Sequence, residues 1–260
     1  MKVLILPDEQ AAMQRAADLV ARTVQAKPAA VLGLATGGTM LPLYQALAQR
    51  HRDDGLSFAE TTSFNLDEYI GLAPDHPCSY HSYMQEAFFG LVDIDPTRTH
   101  LPKGDAADPQ AASADYEALI EAAGGIDLQL LGIGHNGHIG FNEPTASLGS
   151  RTRIKTLTTS TRRANQRYFA SFEETPRYAI TMGVATILAS RACLLLATGE
   201  AKADAVARMV EGPLSAACPA SALQLHARAT IILDEAAAGA LTLSEYYENV
   251  HPQGRDSPFD

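Results

Sequence analysis

The sequence predicts an α/β fold, a three-layer, Rossmann-like architecture in which helices cover both faces of an open, mostly parallel, doubly wound sheet. The first observation is that candidate strands and helices alternate along most of the chain. The second is that strand candidates such as Ala29–Ala35 (AAVLGLA) and Cys193–Ala197 (CLLLA) are continuous apolar runs, which are typical of strands buried on both faces of a parallel sheet. No repeat or linker divides the chain, so residues 1–250 are predicted to form one domain and residues 251–260, rich in Pro, Gly and Asp, a frayed tail.

The remaining elements follow from local patterns. The strand candidate Val3–Leu6 ends at Pro7, and Asp8 can cap a helix that carries apolar residues at helical spacing from Glu9 to about Gln25. Residues 95–104 are predicted to be irregular, and residues 153–158 alternate polar and branched side chains, as exposed strands do. The other predicted strands are 63–66, 128–131, 178–182 and 230–233, and the other predicted helices are 41–50, 79–89, 109–123, 161–169, 183–190, 202–210 and a segment after residue 234.

The composition excludes several classes of function. The 260 residues include 20 basic and 30 acidic side chains, a net charge of -10, which excludes nucleic acid as a general partner because phosphate backbones require a basic surface. A small phosphorylated substrate needs only a few cations. Cys78, Cys193 and Cys218 are sparse and form no C-x-x-C motif, as expected in a reducing compartment. No apolar run is long enough for a signal peptide or a membrane span, so a cytoplasmic protein without a membrane partner is predicted.

A candidate phosphate site lies between a buried strand and a helix, at Thr36-Gly37-Gly38-Thr39. Successive backbone N–H groups in such a turn can surround an anion, and the two hydroxyls add donors. The segment matches neither the Walker A loop nor G-x-G-x-x-G, so a dinucleotide is not expected. The segment can be a sugar-phosphate site or a tight turn without a ligand, and the local pattern leaves both alternatives open.

A candidate acid–base site follows the strand Leu128–Leu131, in a glycine-rich loop at its carboxyl end, where open α/β sheets bind ligands. No H-E-x-x-H helix is present, so a metal is not expected. A histidine whose tautomer is fixed by a carboxylate suits proton transfer, and the alternative is an ordinary loop histidine. The polar side chains of this loop are His135, Asn136, His138, Asn142 and Glu143.

Charged residues also lie near other strand ends. Asp67 and Glu68 follow a strand, and one of them is a candidate general base if burial raises its pKa; the alternative is a solvated strand end. Lys202 follows another strand and can reach an anion as a point charge. Arginines that can clamp a phosphate, or that form an exposed helix face, are Arg162, Arg163 and Arg167.

Seven stretches of the sequence, taken together and in their order along the chain, resemble the glucosamine-6-phosphate deaminase family (glucosamine/galactosamine-6-phosphate isomerases). They are LGLATGGT (32–39), SFNLDEYIGL (63–72), SYHSYM (79–84), LLGIGHNGHIGFNEP (130–144), SRTRIKTLT (150–158), TRRANQRYF (161–169) and LQLH (223–226).

The resemblance implies a reaction and residue roles. The family converts glucosamine 6-phosphate and water to fructose 6-phosphate and ammonia, in amino-sugar catabolism and without a cofactor or metal. Asp67 matches the base that moves a proton between C2 and C1, His138 the residue that opens the sugar ring, and Glu143 its carboxylate partner. The positions that match the family's 6-phosphate site are Thr36, Gly37, Gly38, Thr39, Arg167 and Lys202.

Two departures from the family pattern concern pH behaviour and regulation. Asn136 stands where better-known members carry Asp, so Glu143 alone must stabilise a protonated His138. Hexameric members bind N-acetylglucosamine 6-phosphate at a subunit interface. Ala146 replaces a serine of that effector site, which puts allosteric control and a homo-oligomer in question. The matching effector residues are Ser147, Arg153, Lys155 and Thr156.

Two other functions remain as alternatives. A 6-phosphogluconolactonase-like hydrolase has a related loop, but the continuation Phe141-Asn142-Glu143-Pro144 is the deaminase ending. A non-catalytic sugar-phosphate-sensing domain shares the fold, but this chain keeps Asp67, His138 and Glu143. The resemblance does not distinguish glucosamine from galactosamine 6-phosphate as substrate.

Overall fold

The computed structural model describes residues 1–257, in which strands and helices alternate as the sequence predicts. The strands are β1 (Lys2–Leu6), β2 (Val31–Leu34), β3 (Thr62–Asn65), β4 (Asp67–Tyr69), β5 (Thr99–His100), β6 (Leu128–Leu131), β7 (Arg153–Thr156), β8 (Tyr178–Thr181), β9 (Cys193–Ala197) and β10 (Ala229–Asp234). The helices are α1 (Glu9–Ala26), α2 (Met40–Asp54), α3 (Tyr80–Ala87), α4 (Pro109–Ala122), α5 (Thr159–Asn165), α6 (Val184–Leu188), α7 (Ala203–Val210), α8 (Glu235–Ala238) and α9 (Ser244–Val250).

The main sheet has the order β1-β10-β9-β6-β2-β3-β5, and all of its described strand pairs are parallel. The doubly wound architecture is confirmed, with apolar residues such as Leu4, Leu131 and Leu195 fully buried in the strands. The chain leaves β2 toward β3 and β5, and then returns to the other side of β2 with β6. The strand order therefore reverses between β2 and β6, and such a switch point opens a crevice at the carboxyl ends of the strands.

A second, antiparallel sheet of order β4-β8-β7 was not predicted. Asp67–Tyr69 was expected at the end of a strand, but it forms β4, a strand of its own. The break comes at Leu66, whose N–H donates to Leu34 in the main sheet while its carbonyl accepts from Met182 in the small one. Asp67 and Glu68 consequently lie on a rigid strand beside the crevice.

Local predictions had mixed outcomes. The Asp8 cap is confirmed, because its carboxylate accepts the Ala11 N–H of α1 at 2.7 Å. The predicted irregular segment 95–104 contains the edge strand β5, which two residue pairs with β3 define, too few to leave a sequence pattern. The predicted helix 161–169 is α5 followed by a 3₁₀ turn. No helix among residues 1–257 has the length and hydropathy that spanning a membrane requires.

Residues 251–257, part of the tail predicted to be frayed, make contacts with the rest of the fold. His251 and Gly254 are buried, and Asp256 forms ion pairs with Lys2 and Arg15. The polar composition of the tail therefore serves contacts with β1 and α1. Residues 258–260 of that prediction lie outside the described residues, and the assignment of residues 1–250 to one domain stays a prediction.

Candidate active site

Asp67 lies at the crevice as a buried carboxyl group, with 5% of the residue exposed. Gly140 lets the loop after β6 approach it: a Cβ atom there would lie 3.2 Å from Asp67 Oδ2, and the Gly140 φ is +54°. Burial, reinforced by the charge of Glu68, raises the pKa of Asp67 to about 8, although hydrogen bonds from the Phe141 backbone and Thr181 act against the rise. Asp67 can therefore exchange a proton near neutral pH.

Glu68 has a different role from its neighbour. Its carboxylate accepts backbone N–H groups from Tyr69 at 2.8 Å and from Tyr80 and His81 at 3.0 Å each. Two of these donors belong to the first turn of α3, so Glu68 satisfies the amino end of that helix. The Glu68 carboxylate is thus occupied at the start of α3, whereas the Asp67 carboxylate does not bind a helix end.

The loop after β6 brings His138, Glu143 and Asn136 together. His138 Nδ1 lies 3.3 Å from Glu143 Oε2, and the Asn136 amide donates to the same oxygen at 2.7 Å. Burial raises the pKa of Glu143, but the hydrogen bond and charge of His138, with help from Thr161 and Asn136, lower it to about 2. Glu143 is therefore an anion throughout the physiological range, and it fixes the orientation of the His138 ring.

Gly134 provides the space for that ring. A Cβ atom at Gly134 would lie 2.3 Å from His138 Nε2. Asn136 supports the loop from the other side, because its Oδ1 accepts the His138 backbone N–H at 3.2 Å. Asn136 therefore acts on Glu143 and on the loop backbone rather than on the imidazole.

The Arg167 guanidinium lies beside the Thr36–Thr39 turn, and Lys202 is close enough to Arg167 to feel its charge. Lys202 Nζ donates to the Ile133 carbonyl at 2.7 Å, and the Arg167 guanidinium comes within 3.9 Å of the Cβ position of Gly38. Burial, followed by the charge of Arg167, lowers the pKa of Lys202. In the described part of the chain neither cation forms an ion pair with a carboxylate. Two cations that form no ion pair among the described residues, near the amino end of α2, suit an anionic ligand.

His135, named above among the polar side chains of the loop after β6, lies near Lys202 and Arg167, which the sequence did not predict. The charge of Lys202, then burial, then the charges of His138 and Arg167 lower the pKa of His135. An exposed loop histidine carries no sequence signal for this placement, because Lys202 and Arg167 approach it from distant parts of the chain.

A family comparison agrees with this geometry. The sequence model of the family described as "Glucosamine-6-phosphate isomerases/6-phosphogluconolactonase" matches residues 7–232. The chain belongs to this family.

The proteins similar to this chain include two at about half identity and one solved structure at 19% identity. A protein of Cellvibrio japonicus named glucosamine-6-phosphate deaminase is 54% identical over 255 residues, which cover 98% of this chain and 97% of the relative. A solved structure described as a monomeric glucosamine-6-phosphate deaminase has a TM-score of 0.91 and 48% identity, covering 92% of this chain and all of its own. A 6-phosphogluconolactonase of Leishmania guyanensis, at 19% identity and a TM-score of 0.73 over 91% of this chain and 97% of its own, shares the fold alone.

Other residues singled out by the family resemblance lie away from this cluster or have structural partners. Arg162 donates to the Phe172 and Thr175 carbonyls and stacks on the Phe172 ring, so its guanidinium is occupied in holding that loop. Arg153 donates to Asn142 Oδ1 at 2.8 Å, and Asn142 is the residue before Glu143 in the loop after β6. The remaining effector candidates lie on β7 or on an exposed turn: Lys155, Thr156 and Ser147.

Proposed function

We propose that this protein is a glucosamine-6-phosphate deaminase, which isomerises a 2-amino aldose 6-phosphate to the ketose and releases the amino group as ammonia. The observation that carries the proposal is Asp67, a buried carboxyl group whose pKa burial raises to about 8 and which lies beside the loop that carries the His138–Glu143 pair. The names of the relatives at about half identity support the same activity.

Ring opening is assigned to His138. The imidazole accepts the proton of the O1 hydroxyl and returns a proton to O5 as the C1–O5 bond breaks, which leaves an open-chain aldehyde. Glu143, an anion at working pH, stabilises the imidazolium that forms in between. Asn136 keeps this carboxylate in place through its 2.7 Å hydrogen bond.

Proton transfer between carbons is assigned to Asp67. Its carboxylate removes the C2 proton, the electron pair forms the C1–C2 double bond, and the C1=O π pair moves to O1, which takes a proton from water to complete an enolamine. Asp67 then returns the proton to C1, which leaves a C2 iminium; water adds to C2 and ammonia leaves, giving the 2-ketose. The electron pairs stay within the substrate, so the sequence of steps needs no redox cofactor.

Substrate binding is assigned to the corner formed by the Thr36–Thr39 turn, Arg167 and Lys202. The phosphate is remote from C1 and C2, so its binding energy can hold those carbons against Asp67. Thr39 supports this assignment, because it stands at the amino end of α2 and its hydroxyl does not cap that helix.

Lys202→Met is expected to raise KM about 10–100-fold, the value of a lost charge-assisted hydrogen bond, and to change kcat by less than about threefold. Steady-state kinetics of ammonia release measure both constants. Lys27→Met is the matched control, since Lys27 pairs with Asp127 at the opposite end of β2. A fall in kcat without a rise in KM would contradict a phosphate role for Lys202.

The assay that tests the function measures ammonia release from glucosamine 6-phosphate and from its galactose epimer, beside hydrolysis of 6-phosphogluconolactone. We expect ammonia from an amino-sugar phosphate, no lactone hydrolysis, and no loss of activity with a chelator. Lactone hydrolysis without ammonia release would favour the lactonase alternative, and binding without turnover would favour the sensing domain.

Regulation and assembly are separate expectations. The Arg153 guanidinium is committed to Asn142, so we expect N-acetylglucosamine 6-phosphate not to shift the substrate saturation curve. Measuring that curve with and without the compound, beside the mass of the protein by light scattering, tests both the effector site and a homo-oligomer. A cytoplasmic location stays part of this proposal.

A further inference from the structure

We propose that Thr158 is a positioning residue for Glu143 and that it links the acid–base end of the site to the segment that carries Arg167. The inference rests on the proposed function, because it assigns a partner to the carboxylate that assists ring opening.

The two oxygens of Glu143 have separate partners, and the Thr161 side chain adds a further hydrogen bond to the carboxylate. Oε2 faces His138 Nδ1 at 3.3 Å and accepts from Asn136 at 2.7 Å. Oε1 accepts from the Thr158 backbone N–H at 3.5 Å and from the Thr158 hydroxyl at 3.4 Å. Glu143 is only 2% exposed, so bulk water cannot replace these donors. The orientation of the carboxylate toward His138 therefore depends on what holds Oε1.

Thr158 also begins α5. Its Oγ1 accepts the Thr161 N–H at 3.2 Å, as the cap residue of that helix. The hydroxyl has one proton, and the Thr161 and Ser160 hydroxyls lie 3.0 Å away as further partners. The anionic carboxylate is the acceptor that gains most from that proton. The same side chain thus places the start of α5 and one oxygen of Glu143.

The segment that starts at Thr158 ends at the phosphate corner. Asn165, in the last turn of α5, donates to the Tyr69 hydroxyl at 2.9 Å, on the strand that carries Asp67. Arg167 follows in the next turn, beside Gly38. About ten residues therefore connect Glu143, the Asp67 strand and the phosphate cation, and a shift of Arg167 toward a bound phosphate is transmitted to Glu143.

The test uses four single variants in the ammonia-release assay. Thr158→Val, which removes the hydroxyl, is expected to lower kcat about 10–100-fold with KM within about threefold, because a small displacement of a catalytic partner is costly. Thr158→Ser keeps the hydroxyl and should retain about half of the wild-type kcat or more. Thr158→Asp keeps the helix cap but sets a second carboxylate against Glu143, so its kcat should fall at least as far as that of Thr158→Val. Thr159→Val alters the adjacent, exposed residue and should behave as wild type.

Two results would overturn the inference while the wild type still releases ammonia. One is a wild-type kcat for Thr158→Val. The other is a kcat for Thr158→Asp as high as that for Thr158→Ser, which would show that Thr158 acts only as a helix cap. A wild type that releases no ammonia would instead refute the proposed function. The link to Arg167 is tested with Arg167→Met alone and combined with Thr158→Val: we expect the combined loss in kcat/KM to be smaller than the product of the single losses, and a simple product would refute the link.

Discussion

Asp67→Asn is expected to lower kcat for ammonia release by about 10²–10⁴-fold, the usual contribution of a general base. The amide keeps the shape of the carboxyl group and its place beside Gly140, but it cannot accept the C2 proton. KM should change little, because the phosphate corner is built from other residues. Exchange of the C2 hydrogen with solvent deuterium should be lost together with turnover. Near-normal turnover would remove Asp67 from the role of base.

The same substitution is expected to stabilise the fold at neutral pH. The pKa of Asp67 is about 8 in the folded protein and close to 3.8 in an unfolded chain. At pH 7 the unfolded state has therefore released a proton that the folded state retains, and ionisation of Asp67 opposes folding increasingly as the pH rises from about 4 to 8. The uncharged amide of the variant removes this cost, which is on the order of a few kcal/mol. Urea unfolding at pH 5 and pH 8 measures the effect, and equal stability changes at both pH values would contradict the raised pKa.

The pH dependence of the wild-type enzyme follows from the same group. Because the reaction needs the carboxylate form, kcat/KM should rise with pH through an acid limb near the pKa of about 8. Glu143, with a pKa of about 2, stays ionised over that range and contributes no limb there. The limb should persist in Thr159→Val and disappear from the residual activity of Asp67→Asn.

The doubly wound sheet could be predicted because its strands are buried on both faces and leave continuous apolar runs such as those of β2 and β9. The small sheet could not. β4 is three polar or aromatic residues, Asp67–Tyr69, and its pairing with Thr181, Ile180 and Ala179 depends on a chain reversal that no local pattern encodes. The contacts of the tail could not be predicted for a related reason, because Asp256 looks like a solvated residue until Arg15 and Lys2 are placed beside it.

For the candidate site, the sequence predicted the contact of His138 with Glu143 within one loop, but it did not predict the contacts between distant segments. The glycine-rich loop after β6 marks His138 and Glu143 in sequence, because both lie within one short turn-forming segment. Which of Asp67 and Glu68 is free for chemistry depends on α3, whose backbone N–H groups occupy Glu68. The contact of Thr158 with Glu143 joins residues 15 positions apart through the fold, and neither residue alone carries a signal for it.

His138→Gln is expected to lower kcat for glucosamine 6-phosphate by about 10²–10³-fold, within the range of general acid–base catalysis. Glutamine can still donate a hydrogen bond, and Gly134 leaves room for it, but an amide cannot take a proton from O1 and pass one to O5. The residual kcat should equal the rate at which the sugar ring opens without acid–base catalysis.

The 4,5-dideoxy analogue of the substrate separates ring opening from the later steps, because it has no hydroxyl with which to close a five- or six-membered ring. On this analogue we expect His138→Gln to lower kcat by no more than about tenfold, since the remaining steps do not use the imidazole as acid or base. Asp67→Asn should lose activity on both substrates equally, because every turnover moves the C2 proton. If His138→Gln lowered kcat as much on the open-chain analogue as on the sugar, His138 would belong to the carbon-to-carbon proton transfer. The assignment of ring opening to the β6 loop and of proton transfer to the Asp67 strand would then be wrong.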